Sequence, residues 1–214
     1  MENKSLVFFG NGKLATGLEN ESPNILEALL DAGFEIEQHV TGPISDLQHH
    51  KAQLAVLAAY GHVVPQKVLD EFPLGIINVH PSLLPLYRGS TPIEQAILQG
   101  ATKTGVSIMK LTTGMDEGPI YKQKTVLLNG CEAKTELVQK LQELGVQLLL
   151  EVLPLITSCK LKPRQQPHPD RATYTKRITK EDGRIDWSKP SAQIEREIRA
   201  YCGWPRSYTT FGSV

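Results

Sequence analysis

Leu74-Gly-Ile-Ile-Asn78-Val-His80-Pro-Ser-Leu-Leu-Pro85 is the stretch on which the fold turns. Its apolar run, Leu74 to Val79, is short and bounded by turn residues, so it reads as a buried strand. Side chains alternate along a strand, which puts Asn78 and His80 on one side. Both lie at the strand's C-terminal end, where open α/β sheets hold their ligands. A second loop, Thr113-Gly-Met-Asp116-Glu-Gly118, follows another strand-like run, Gly105 to Leu111. Amide, imidazole and carboxylate from two strand ends suit an acyl-transfer site. Taken singly, each piece has a plainer reading: Asn-x-His as a satisfied polar pair, Ser-Leu-Leu-Pro as a turn stopped by Pro85.

Outward from that strand, Leu6 to Gly10, Glu35 to Val40 and Gln53 to Tyr60 also read as strands. Asn24 to Ala32, Val63 to Leu69 and Thr91 to Gln99 read as helices between them. Such alternation predicts a Rossmann-like α/β domain with a mostly parallel sheet. The short connection between Gly105–Leu111 and Ile120–Leu128 predicts an antiparallel excursion. Lys134 to Ile156, with Leu137, Leu141, Leu144, Leu148 and Val152 spaced by three or four, predicts a long helix closing the domain. The expected division is a domain over 1–158 and a short α+β linker region over 159–214. Within the latter, Lys160 to Arg171 reads as linker, Thr179-Lys-Glu-Asp182 as a helix start and Ser191 to Tyr201 as an amphipathic helix. Trp187 and Trp204 are good core candidates.

The chain has 214 residues, 40% hydrophobic and 21% charged, with zero formal charge. That balance argues against indiscriminate nucleic-acid binding, but it hides an asymmetry. Residues 1–158 carry 11 Lys/Arg and 17 Asp/Glu, whereas residues 159–214 carry 12 and 6. A basic end segment suits phosphates or a solvated surface equally. Cys131, Cys159 and Cys202 are scattered, so no zinc spacing or other metal site is expected and reduced thiols in the cytoplasm are the simplest account. Neither a signal peptide nor a membrane span is expected.

Gly10-Asn-Gly12-Lys-Leu-Ala15 follows a strand, with Glu35 about twenty residues on, as in a dinucleotide fingerprint. Glu21-Ser-Pro23 interrupts the helix such a site needs, which favours a structural turn.

Asn78-x-His80-Pro-Ser-Leu-Leu-Pro85, then Arg88-Gly-Ser-Thr-Pro-Ile93, then Gly114-Met-Asp-Glu-Gly118 together resemble the 10-formyltetrahydrofolate-dependent formyltransferases. Thr173-Tyr-Thr-Lys-Arg, Gly183-Arg-Ile-Asp-Trp187 and Ala200-Tyr-Cys-Gly-Trp-Pro205 look like the connecting region of the methionyl-tRNA branch. The resemblance implies transfer of formyl to a primary amine, the first acceptor being initiator methionyl-tRNA. It implies Asn78, His80 and Asp116 as catalytic, with Asn78 facing the oxyanion, His80 moving the proton and Asp116 supporting it. Folate contacts would come from Ser82, Leu83, Leu84 and Pro85, from Tyr60, His62, Val63 and Val64, and from Thr113 and Gly114. Arg88 would meet an anionic group of the acceptor or cap a carbonyl. Two elements that the resemblance implies, a long basic insertion after the second strand and a C-terminal barrel, find no counterpart in these residues, so the chain reads as a fragment or a minimal version of that branch. Residues 159–214 would then be a linker plus the start of a missing or vestigial domain. Sugar-nucleotide N-formylation, and an idle folate- or tRNA-binding module, are the alternatives.

Overall fold

Three buried and mostly apolar runs, β1 (Ser5–Gly10), β3 (Leu54–Ala58) and β4 (Gly75–His80), form the centre of one sheet. The computed structural model describes residues 4–14 and 24–212. The more polar β2 (Glu35–Val40) pairs parallel to β1 at an edge. β5 (Lys103–Lys110) and β6 (Ile120–Leu127) join as antiparallel neighbours, giving the order β2-β1-β3-β4-β5-β6. The sheet is therefore mostly parallel and Rossmann-like; β5 runs antiparallel to both its neighbours, and its pairing with β6 lies where the short connection demands one.

Alternation splits the sheet's side chains between two layers. Leu6, Phe8, Val56, Ile77, Val79, Val106 and Ile108 face α1 (Ile25–Asp31), α3 (Pro92–Leu98) and the long α4 (Lys134–Thr157). Val7, Phe9, Ala55, Leu57 and Ile76 face a smaller layer built from α2 (Gln66–Leu69) and Phe72. Asn78 and His80 share the parity of Ile76, so they project into this second, less crowded side. Local chemistry fixes the helix starts. The Asn24 side chain accepts from Leu26 N at 2.9 Å, and Glu136 reaches back to Ala133 N at 3.2 Å.

The glycines of the Gly10-Asn-Gly12 turn are accounted for by packing. A Cβ on Gly10, at φ 103°, would lie 2.0 Å from the Ala58 carbonyl oxygen, and one on Gly12 would lie 1.7 Å from Asn24 Oδ1. Gly12 O accepts from Ile25 N and from the buried Gln142 Nε2. The interruption expected at Glu21-Ser-Pro23 lies outside the described residues. Gly10→Ala is expected to destabilise the fold by about 2–3 kcal/mol, since β1 must retreat from β3. An unchanged denaturation midpoint for that variant would rule this packing account out.

The stretch Lys160–Arg171, expected as linker, is tied to the sheet domain, as are residues 173–175 and 191–201 further on. Arg164 exchanges both backbone hydrogen bonds with Ile120, at 2.7 and 2.8 Å. Arg88 N donates to Thr173 O and Thr175 N donates to Arg88 O, so 173–175 runs beside the 87–89 turn. α5 (Ser191–Ala200) packs on α3, and Ala200 and Tyr201 complete the main core. Burial, reinforced by Glu197, pushes the Tyr201 phenol up to about 12. Trp187 and Trp204, the core candidates, are instead 68% and 51% exposed. They sit on a thin outer layer where Gly183 abuts the Arg206 carbonyl and Trp187 Nε1 donates to Thr209 Oγ1. Among the described residues no helix is long and apolar enough to cross a membrane.

Candidate active site

β4 ends with Asn78 and His80 both buried, at 7% and 4% exposure, and the loop after β5 brings Asp116 to them. Asn78 Nδ2 donates to Asp116 Oδ1 over a long 3.4 Å, and His80 Nδ1 lies 3.7 Å from Asp116 Oδ2. Oδ2 also accepts from the Gly89 backbone N–H at 2.7 Å. Of the three residues expected to act together, two therefore converge on the carboxylate of the third.

The tautomer of His80 follows from its second nitrogen. Nε2 lies 3.0 Å from the Tyr87 carbonyl oxygen, which can only accept. Nε2 therefore carries the hydrogen, and the neutral ring keeps a lone pair on Nδ1, beside Asp116. A proton taken up at Nδ1 converts that arrangement into an ion pair. Asn78 is oriented by the same carboxylate: one Nδ2 hydrogen is held by Oδ1 and the other remains for a ligand oxygen. Asp116 itself is left-handed, at φ 49°, a conformation that costs a non-glycine residue about 1–2 kcal/mol. It persists only where neighbours hold it.

The loop Ser82–Pro85 is more interior than expected. Ser82 is fully buried, with Oγ donating to Leu86 O at 2.6 Å, and Leu84 packs with Met109 and Ile120. Ser107 Oγ donates to Ser82 O at 2.5 Å, and Gln123 Nε2 donates to Leu84 O at 2.9 Å. These bonds commit the Ser82 and Leu84 side chains to the loop's own shape. Pro85 is buried too; Leu83 and Leu86 are the accessible side chains there. After β3, Tyr60 donates to Gly42 O at 2.8 Å and packs on Phe9 and His62. His62 and Val63 are exposed, Val63 by 84%, while Val64 turns into the smaller core. Thr113 and Met115 are exposed on the Asp116 loop, with Gly114 partly so.

Arg88 is buried, and four guanidinium hydrogens are engaged. Nε and Nη2 donate to Gln166 Oε1 at 3.2 and 2.7 Å, while Nη1 donates to Glu117 Oε1 at 3.1 Å and Tyr174 OH at 2.7 Å. Tyr174 in turn donates to Glu117 at 2.8 Å. Sequence reasoning passed over Gln166, and met Tyr174 only inside the Thr173-Tyr-Thr-Lys-Arg motif, with no role at the site. Neither lies in a periodic pattern, and only their distant partners mark them. Two open clefts, of about 460 and 430 Å³, lie beside β2 and between residues 44–49 and α2. Neither contains Asn78, His80 or Asp116.

Residues 20–153 match the family model described as Formyl transferase, and residues 177–214 match that of the Formyl transferase C-terminal domain. The methionyl-tRNA formyltransferase of Chloroflexus aurantiacus is 48% identical over 166 residues, covering 78% of this chain and 53% of that protein. The chain thus spans about half the length of the curated relatives it matches. HypX from Aquifex aeolicus, solved in complex with tetrahydrofolic acid, superposes with a TM-score of 0.76 at 18% identity, over 98% of this chain and 36% of that one. The N-formyltransferase of Helicobacter canadensis, solved with folinic acid and dTDP-3-aminofucose, gives 0.68 at 18% identity, over 92% and 80%. At such identities these two structures share the fold. With 20–153 matched by the family's model, the chain belongs to the formyl transferase family.

Proposed function

We propose that the chain transfers a formyl group from 10-formyltetrahydrofolate to a primary amine, the methionyl amino group of initiator methionyl-tRNA. The observation that carries it is the convergence of Asn78 and His80 on Asp116, with the imidazole lone pair on the side of the carboxylate. The folate supplies an activated formyl group. Asn78, its amide held by Asp116, offers its second N–H to the oxygen on which charge develops; such a donor is worth most in a preorganised, water-poor site. His80 Nδ1 takes the proton that the attacking amine loses as its bond to the formyl carbon forms, Asp116 stabilises the imidazolium, and the proton passes on to the folate nitrogen as its bond to the formyl carbon breaks.

The loops leaving β3 and β5 fit a flat heterocycle. Val63 and Met115 are large apolar side chains, 84% and 61% exposed, and a ring system seated between the two loops would cover them. The backbone of Thr113 and Gly114 offers amide groups to its polar edge. Arg88 is our choice for an acceptor phosphate: Nη1 is held by Glu117, whose side chain is 49% exposed and can be displaced. Residues 1–158 are the catalytic domain, and 159–214 are a basic extension on the acceptor side. The name of the Chloroflexus aurantiacus relative supports tRNA as acceptor; action in the cytoplasm is part of the same proposal.

The test is formyl transfer by the purified chain to methionine-charged initiator tRNA and, in parallel, to nucleotide-linked amino sugars. Transfer to the tRNA is expected. Transfer to a sugar alone would move the acceptor assignment, and transfer to neither would sink the proposal.

A further inference from the structure

Gln166 lies in a stretch with prolines at 163, 167 and 169, yet it is buried to 7% exposure. Its amide is fully used. Nε2 donates to the Asp116 carbonyl at 2.6 Å and to the Gly118 carbonyl at 2.9 Å. Oε1 accepts Nε and Nη2 of Arg88. Two carbonyls demand a two-hydrogen donor and a guanidinium demands an acceptor, so the amide has only one orientation here. Among neutral side chains of this length, glutamine alone supplies both ends. Glutamate would keep Arg88 but set an oxygen against two carbonyl oxygens.

The backbone on either side is pinned. Arg164 is paired with Ile120 two residues before, and Thr173 and Thr175 are bonded to Arg88 some residues after. Gln166 is thus a fixed post, and the segment it grips is the Asp116 turn, where a non-glycine residue occupies left-handed space. Fixing the carbonyl at 116 fixes the direction of the side chain at 116, and so which oxygens meet Asn78, His80 and Gly89 N.

We propose that Gln166 is a positioning residue, a latch by which the segment beyond the sheet domain holds Asp116 in register with Asn78 and His80. Its kinetic part rests on the formyl-transfer reading above; its structural part does not. Gln166 would be silent towards the folate itself, since its bonds go to residues 88, 116 and 118.

The Gly89 amide, which donates to Asp116 Oδ2, is a reporter that needs no activity. In Gln166→Ala and Gln166→Glu its hydrogen exchange, followed by NMR, should quicken by about tenfold or more, while the Thr175 amide on the adjacent clamp holds. The Glu variant keeps a partner for Arg88 and so isolates the lost bonds to 116 and 118. In both variants kcat for formyl transfer should fall by about 10- to 100-fold with the KM for folate within about twofold, as misplacement of a catalytic group predicts. In an Asp116→Ala background, adding Gln166→Ala should change kcat by less than about twofold. Unchanged Gly89 exchange in both variants would overturn the latch, as would full multiplication of the two kcat losses. If the wild-type chain transfers formyl to no acceptor, the functional reading fails and the Gly89 exchange still decides the latch.

Discussion

His80→Ala should lower kcat for formyl transfer by about 10³-fold and leave the KM for the folate donor within about twofold. The imidazole is placed for proton transfer by two fixed contacts, the Tyr87 carbonyl at Nε2 and the Asp116 carboxylate facing Nδ1. No neighbour can substitute: Asn78 does not titrate, and Asp116 is engaged by Gly89 N and Asn78. His80→Gln is the sharper variant, because its Nε2 reaches about as far as the imidazole Nε2 and can keep a donor towards Tyr87 while offering no base. It should be as slow as the alanine variant. Retention of more than about a tenth of wild-type kcat by either variant would remove His80 from the proton path.

Much of the scaffold was legible because its signals are local. β1, β2 and β4 are apolar or alternating runs cut by glycine or a turn, and their observed ends fall within a residue or so of those cuts. α4 declares itself by leucines at helical spacing. Two expected helices shrank for local reasons. Val63–Leu69 begins only at Gln66, because Pro65 takes the N-cap place in extended conformation and biases Val64 away from helix. Thr179–Asp182 has capping chemistry, with Asp182 Oδ2 accepting from Thr179 N and Oγ1, but no apolar stripe follows and one short turn results.

The site divides along the same line. Asn78 and His80 could be paired from strand alternation alone, and their shared side with Ile76 follows from it. That Asp116 meets them depends on the antiparallel return of β5, which only the whole sheet determines. Arg88, Glu117, Gln166 and Tyr174 are joined across 29 to 86 residues of sequence, and nothing in the composition near any one of them announces the others. The tryptophans failed as core markers for a related reason. Burial is decided by what lies across from a side chain, and the 183–209 layer has a covering on one side only.

Asp116→Asn tests the organisation of the site with almost no change of shape, and should cost about 10²–10³-fold in kcat. In the wild type, Oδ1 accepts from Asn78 and Oδ2 accepts from Gly89 N, so both oxygens must be acceptors. An asparagine has one. If its oxygen serves Gly89 N, the shorter bond at 2.7 Å, its NH₂ faces the NH₂ of Asn78. Asn78 then relieves the clash by turning its amide, which swings its carbonyl oxygen to where its donors had been and withdraws the N–H aimed at the formyl oxygen. The imidazolium loses its counter-charge at the same time. Two functions of the site thus fail together through one atom, and the second substitution Asn78→Ala should add less than about tenfold to the loss. Folate affinity, measured by equilibrium binding of a non-transferring analogue, should stay within about threefold, since neither change touches Val63 or Met115. A double variant whose losses multiply in full would show that Asp116 and Asn78 act independently and that the carboxylate does not orient the amide.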